Sequence, residues 1–127
     1  MALGSYNVSV TLGVKDLARG RKFYEEVLGI TDVYRSDDYM VIYKSGNSLV
    51  EVYTSDYAGT NQATSATWLV ENTEIEGVVA ELKAKGVSFE HYENMAGVSM
   101  EGDVHNFGPE KIAWFKDPDG NILCIHQ

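Results

Sequence analysis

The sequence predicts an α+β protein in which two tandem βαβββ modules form a curved mixed sheet around a central cavity. The main observation is a repeat: a strand-like segment ending at Val14 and a helix-like segment ending at Gly29 recur roughly 57 residues later, at Val70 and Gly86. The other observation is size. A chain of 127 residues with 44% hydrophobic content can bury the core of one domain, whereas half that length hardly folds alone. We therefore expect a single domain whose two modules pack face to face.

The first module, predicted at residues 5–54, begins with a strand and a helix. Residues 7–14 alternate between polar and aliphatic side chains, which is the pattern of a strand with one buried face. Asp16 follows in the N-cap position of a helix, and Gly29 ends that helix as a C-cap residue. Three short strands complete the module, at residues 31–36, 40–44 and 48–54.

The second module, predicted at residues 65–127, follows a small polar linker at residues 55–64. A strand and a helix again come first. A long irregular stretch at residues 93–110 is then either a lid over a ligand or a surface excursion, and its histidine His105 is expected to be exposed. The module closes as a hairpin that turns at residues 117–121, where the sequence is Asp-Pro-Asp-Gly-Asn.

The composition narrows the class of partner. Ten basic residues against 19 acidic ones give a net charge of −9, which disfavours nucleic acid and anionic membranes. No apolar run approaches the roughly 20 residues that cross a bilayer. The only cysteine, Cys124, has no partner for an internal disulfide. We expect a cytoplasmic protein that binds a small molecule and neither nucleic acid nor membrane.

Two segments resemble the signature segments of a known superfamily. They are VKDLARGRKFYEEVLGI at residues 14–30 and AWFKDPDGNILCIHQ at residues 113–127. Both are similar to segments of the vicinal oxygen chelate superfamily, which includes glyoxalase I, extradiol dioxygenases, fosfomycin-modifying enzymes and bleomycin resistance proteins. The resemblance implies the glyoxalase/bleomycin resistance fold over nearly the whole chain, and a homodimer.

The resemblance also implies where a metal would be held. In metalloenzymes of the superfamily the ligands lie on the first and last strands of each module and are histidine, glutamate or glutamine. The matching positions here are Ser9, Glu51, Ser65 and Cys124, of which only Glu51 is of that kind. We therefore expect no metal cofactor. The alternative is a divalent metal such as zinc on Glu51, Cys124 and His126, since the last two share one strand face.

Strand alternation predicts a mixed polar and aromatic lining for the cavity. Glu51 is the candidate catalytic residue, because a buried carboxylate in such a cavity can accept a proton or meet an amine. One of Trp114 and Phe115 must face the cavity. The predicted ligand-binding residues are Ser9, Thr11, Glu51, Tyr53, Ser65, Thr67, Trp114, Cys124 and His126.

Two functions fit this lining. The first is a metal-independent protein, similar to the bleomycin resistance group, that binds a small organic ligand of cationic or aromatic character. The second is an enzyme of the same superfamily, a metal-dependent lyase, isomerase or dioxygenase with an atypical site in which Glu51 is the base.

Overall fold

The computed structural model describes residues 2–71 and 73–127. The chain divides into two compact units, Met1–Ala58 and Gly59–Gln127. Each unit contains one α-helix and one mixed sheet, which confirms the predicted α+β class. Among the described residues, no helix has the length and apolar character needed to cross a membrane.

The first unit follows the predicted order of one strand, one helix and three strands. Its elements are β1 (Val10–Val14), α1 (Leu17–Lys22) with a π-helical continuation (Phe23–Val27), β2 (Asp32–Ser36), β3 (Met40–Ser45) and β4 (Ser48–Thr54). The sheet runs in the order β1-β4-β3-β2, with β1 parallel to β4 and the other neighbours antiparallel. This order places the first and last strands of the unit side by side.

Helix α1 begins and packs as the sequence indicates. The Asp16 side chain accepts a hydrogen bond from the Arg19 N–H at 3.1 Å, which confirms the predicted N-cap. Gly20 lies against Val14 of β1, where an added Cβ would come within 3.1 Å of a valine methyl carbon. Tyr24 is fully buried on the same side of the helix segment. The helix therefore covers one face of the sheet and leaves the other open.

Strand β1 is shorter than predicted. The alternating pattern covers residues 7–14, but the strand begins at Val10, and Val8 is 89% exposed. Pairing with β4 begins at Val10 and Val50, and none of residues 2–9 pairs with a strand. Alternation alone does not show where the partner strand ends.

The second unit repeats the strand and helix and adds further strands. Its elements are β5 (Thr64–Leu69), α2 (Ile75–Ala84), β6 (Phe89–Glu90), β7 (Ser99–Glu101), β8 (Val104–Phe107), β9 (Glu110–Lys116) and β10 (Ile122–His126). The sheet order is β5-β10-β9-β8-β7, and β6 also pairs with β9. As in the first unit, the first and last strands are parallel neighbours.

The stretch at residues 93–110, predicted to be irregular, contains a β-hairpin. Strand β8 pairs with β7 and with β9, so the hairpin extends the sheet. The prediction was wrong because strands of three and four residues are too short for alternation to show. His105 was also misplaced, because it lies in β8 and is fully buried.

An ion pair links this hairpin to α2. Asp103, in the turn between β7 and β8, accepts from Lys83 Nζ at 2.7 Å and pairs with His91 Nε2 at 2.7 Å. The bond with Asp103 raises the pKa of His91, and the bonds from His91 and Lys83 lower the pKa of Asp103. A cluster of positively and negatively charged side chains therefore holds residues 91–103 against the rest of the unit.

The predicted turn at residues 117–121 is confirmed, and two buried side chains close it. Asp117 Oδ1 accepts from the N–H of Asp119 at 3.0 Å and from the N–H of Asn121 at 2.9 Å. Asn121 Nδ2 donates to the other Asp117 oxygen at 2.8 Å. Asn121 Oδ1 accepts from the Gly59 N–H at 3.2 Å, which ties the start of the unit to this turn.

Replacing Gly59 with alanine should destabilise the second unit strongly. Gly59 has φ of +72°, and an added Cβ would lie 1.8 Å from the Asp119 carbonyl oxygen. Gly29 is the matched control, with φ of +74° and no described atom within 4 Å of an added Cβ. In urea denaturation we expect Gly29→Ala to lower the free energy of unfolding by about 1 kcal/mol. Gly59→Ala should lower it by at least ~3 kcal/mol, and equal losses would contradict the close approach.

Candidate functional site

The open face of the first sheet carries three of the predicted site residues. Thr11 of β1 and Glu51 of β4 are directly paired, and Tyr53 lies two residues along on the same face. All three line a surface depression of about 380 Å³. The other residues lining it are Tyr39, Met40 and Thr54. Ser9 precedes β1 and is not among these lining residues.

Arg35 brings a cation to the same face. Ile42 of β3 pairs with Glu51 on one side and with Arg35 of β2 on the other, so the three side chains share a face. Two strand spacings separate Arg35 from Glu51, which is about 10 Å. The β2–β3 register shifts between Val33 and Arg35, and this irregularity sets the face on which Arg35 lies. The sequence analysis missed Arg35 because simple alternation carries no sign of a register shift.

The open face of the second sheet brings together three other predicted residues. Cys124 of β10 pairs with Thr67 of β5 on one side and with Trp114 of β9 on the other. Phe115 has the opposite orientation and pairs with Leu123, where it is almost fully buried. Trp114 is therefore the aromatic residue that shares the face of Thr67 and Cys124.

The Cys124 thiol is weakly reactive in this position. Its side chain is buried, and burial raises the pKa of the thiol to about 11, while a hydrogen bond with Thr67 lowers it in part. At neutral pH the sulfur is therefore a thiol and not a thiolate. A thiol is a poor nucleophile and a poor metal ligand.

The other two predicted site residues of the second unit, His126 and Ser65, contact side chains that were not predicted to belong to the site. His126 Nε2 is in close contact with a Glu110 carboxylate oxygen. The Ser65 hydroxyl accepts a hydrogen bond from Asn61 Nδ2 at 3.1 Å. Glu110 and Asn61 lie in segments predicted as loop and linker, where neither spacing nor alternation marks a contact.

An aromatic depression lies beside Trp114. Its volume is about 590 Å³, and Trp114 and Tyr92 supply its aromatic walls, with ring centroids 5.2 Å apart and planes at 72°. Trp114 Nε1 donates to Thr64 Oγ1 at 3.1 Å, which fixes the indole orientation. The other lining residues are Gly59, Asn61, Gln62, Ala63, Lys116, Gly120 and Ile122. We call this feature the Trp114 depression.

Charge at the Trp114 depression comes from one ion pair. Lys116, which lines the depression, lies 3.1 Å from a Glu90 carboxylate oxygen. Glu90 pairs across the strands with Trp114, so its side chain is on the same face as the indole. A carboxylate therefore lies next to an aromatic wall, and a cation is already bound to it.

Tyr92 was missed by the sequence analysis. It follows the two-residue strand β6, and its side chain packs on Trp114 and on His105. The sequence does not distinguish a tyrosine that follows a two-residue strand from an exposed aromatic residue elsewhere. The chain has eight tyrosines, so none of them stands out. Its position becomes evident only when β8 and β9 are paired.

These features define a class of protein: a duplicated α+β chain in which each unit has one helix-covered sheet face and one open polar and aromatic face. The family model of the Glyoxalase/Bleomycin resistance protein/Dioxygenase superfamily matches residues 8–125. The chain belongs to this superfamily. No curated protein matches the chain significantly.

Solved structures show the same fold. A glyoxalase family protein from Enterococcus faecalis aligns with a TM-score of 0.72 and 22% identity, over 98% of this chain and 99% of that one. A lactoylglutathione lyase from Agrobacterium tumefaciens gives 0.70 and 14%, over 96% and 92%. The fosfomycin resistance protein FosX from Listeria monocytogenes, complexed with Mn(II) and sulfate, gives 0.69 and 16%, over 96% and 89%. At these identities the likeness is one of fold.

The residues at the predicted metal positions do not fit a divalent metal. Ser9 and Ser65 supply hydroxyls, which are poor ligands at neutral pH. Cys124 is a protonated thiol, and His126 is already engaged by a carboxylate. Within residues 2–71 and 73–127, no group of three His, Cys, Asp or Glu side chains is arranged to hold a metal ion.

Cys124 should be nearly inert to thiol reagents in the folded protein. With a pKa of about 11, it is a thiolate in about one molecule in a thousand at about pH 8. We expect dithiobis(nitrobenzoate) to react at least about 100-fold more slowly with the folded protein than with the protein in guanidinium chloride. Because Cys124 is the only cysteine, the absorbance change reports this site alone. Similar rates in both states would contradict the buried, protonated thiol.

Proposed function

We propose that this protein binds a small, planar organic ligand, without a metal, in the Trp114 depression. The observation that carries the proposal is the arrangement of Trp114, whose indole is fixed by its bond to Thr64 and packed edge to face against Tyr92. An aromatic wall held in one orientation binds a flat ligand with little loss of side-chain entropy. The volume of about 590 Å³ lies in the range of small-molecule sites.

The ligand that we propose is an aromatic cation. The chain carries a net charge of −9, which raises the local concentration of cations around it. Cations are also favoured over the faces of tryptophan and tyrosine. Glu90, on the same sheet face as Trp114, supplies a carboxylate that could exchange Lys116 for the ligand.

The donor chemistry supports metal-independent binding. Two serine hydroxyls, a protonated Cys124 and a carboxylate-bound His126 leave Glu51 as the one acidic ligand at the positions carried over from the superfamily. One carboxylate binds a divalent metal weakly. We therefore propose a binding protein rather than a metalloenzyme, with no cofactor.

We further propose a homodimer that acts in the cytoplasm and binds neither nucleic acid nor membrane. Strand β2 lies at an edge of the first sheet, where among the described residues it pairs with β3 alone. Every residue of β2 is exposed. An uncovered strand edge is a surface that a second copy can cover. The acidic charge supports the exclusion of nucleic acid and anionic lipid.

Truncating Trp114 should weaken the binding of a planar aromatic cation. Proflavine is a suitable probe, and its fluorescence anisotropy gives the Kd. We expect Trp114→Ala to raise the Kd about tenfold, because the substitution removes the main stacking surface. Tyr34→Ala is the matched control, since Tyr34 is an exposed aromatic residue of the first unit. Unchanged affinity in Trp114→Ala, or an equal loss in Tyr34→Ala, would contradict the proposed site.

A further inference from the structure

We propose that His105 is the positioning residue of the Trp114 depression: its neutral imidazole holds Tyr92 against Trp114, and its protonation releases this wall. The consequence for ligand binding rests on the proposed function. The contact between His105 and Tyr92 does not, because it is formed by the chain's own residues.

His105 lies directly behind the two aromatic walls. It is fully buried, and its ring centroid lies 4.8 Å from that of Trp114, edge to face, and 5.9 Å from that of Tyr92. Its Nε2 accepts a hydrogen bond from the Tyr92 N–H at 2.8 Å. An acceptor nitrogen carries no proton, so the proton of the neutral ring is on Nδ1.

Tyr92 depends on this bond because it lies outside the strands. Strand β6 ends at Glu90, and residues 91–98 belong to no strand. The backbone N–H of Tyr92 therefore takes a side-chain acceptor where a strand residue would take a carbonyl oxygen. Loss of the acceptor would free the Tyr92 backbone, and with it one wall of the depression.

The surroundings of His105 favour the neutral ring. Strand β7 presents Met100 opposite it, and β9 presents Ile112, both without charge. Among described residues Nδ1 has no hydrogen-bond partner. An imidazolium here would be a buried cation with almost no compensation.

His91 and Glu93 act on the pKa of His105 in opposite directions. Burial is the main cause that lowers the pKa of His105, and His91, with its ring centroid 6.4 Å away, lowers it further. The Ile112 backbone and Glu93 raise the pKa in part. Nearby on β9, Glu110 is already paired with His126 of β10.

The sign of the pH effect follows from the lowered pKa. In the unfolded chain a histidine takes up a proton as the pH falls through about 6.5. In the folded chain His105 stays neutral to a lower pH, so folding stability decreases below about pH 6.5. Once protonated, both ring nitrogens are donors, and Nε2–H then faces the Tyr92 N–H. The wall is therefore held at neutral pH and released in acid.

The first test needs no ligand and follows the Tyr92 amide by ¹⁵N NMR. In a titration downward from about pH 7, we expect its hydrogen-exchange protection factor to fall about tenfold as His105 becomes protonated. His105→Gln supplies a non-titrating acceptor and should keep the protection constant with pH. His105→Leu should lower it throughout the titration. His91→Gln removes a group that lowers the pKa of His105, so it should keep the acid-induced loss of protection and shift that loss to higher pH.

The second test measures proflavine binding with the same variants. The wild type and His91→Gln should each bind about tenfold more weakly in acid, once His105 is protonated, than at about pH 7, and His105→Gln should not. Full Tyr92 protection in His105→Leu, or wild-type acid dependence in His105→Gln, would overturn the role of His105. If Tyr92 responds as expected but proflavine does not bind at pH 7, the proposed function fails while the contact with His105 stands.

Discussion

Strand β10 lies between β5, which runs parallel to it, and β9, which runs antiparallel, and this pairing places Thr67, Cys124 and Trp114 side by side. The site depends on this register. A shift of β9 by one residue would turn Trp114 toward the helix-covered face and bring Phe115 to the open one. The buried turn built on Asp117 and Asn121 joins the two strands directly and holds that register.

The pairing of Thr67, Cys124 and Trp114 bears on the proposal that the second unit binds a ligand without a metal. Cys124, which the superfamily resemblance assigns to a metal-ligand position, is buried and bonded to Thr67. Its sulfur therefore supports packing. Trp114, its neighbour, is the residue that we propose recognises the ligand, and its indole donates a hydrogen bond to Thr64.

Repetition and alternation were sufficient to predict the order of elements in the first unit, the Asp16 cap and the closing hairpin. They failed where structure depends on a distant partner. Residues 7–9 alternate but pair with no strand, and β7 and β8 are too short for alternation to show. His105 was expected at the surface for the same reason, because only its pairing with Ile112 of β9 explains its burial.

The most direct test of the account is calorimetric titration of proflavine into the protein after exhaustive dialysis against a chelator, repeated with added zinc. We expect the metal-free protein to bind the probe with a Kd that zinc changes by less than about twofold. Binding that appears only with zinc, and that Glu51→Ala abolishes, would contradict the claim that this fold binds its ligand through a fixed aromatic wall without a metal.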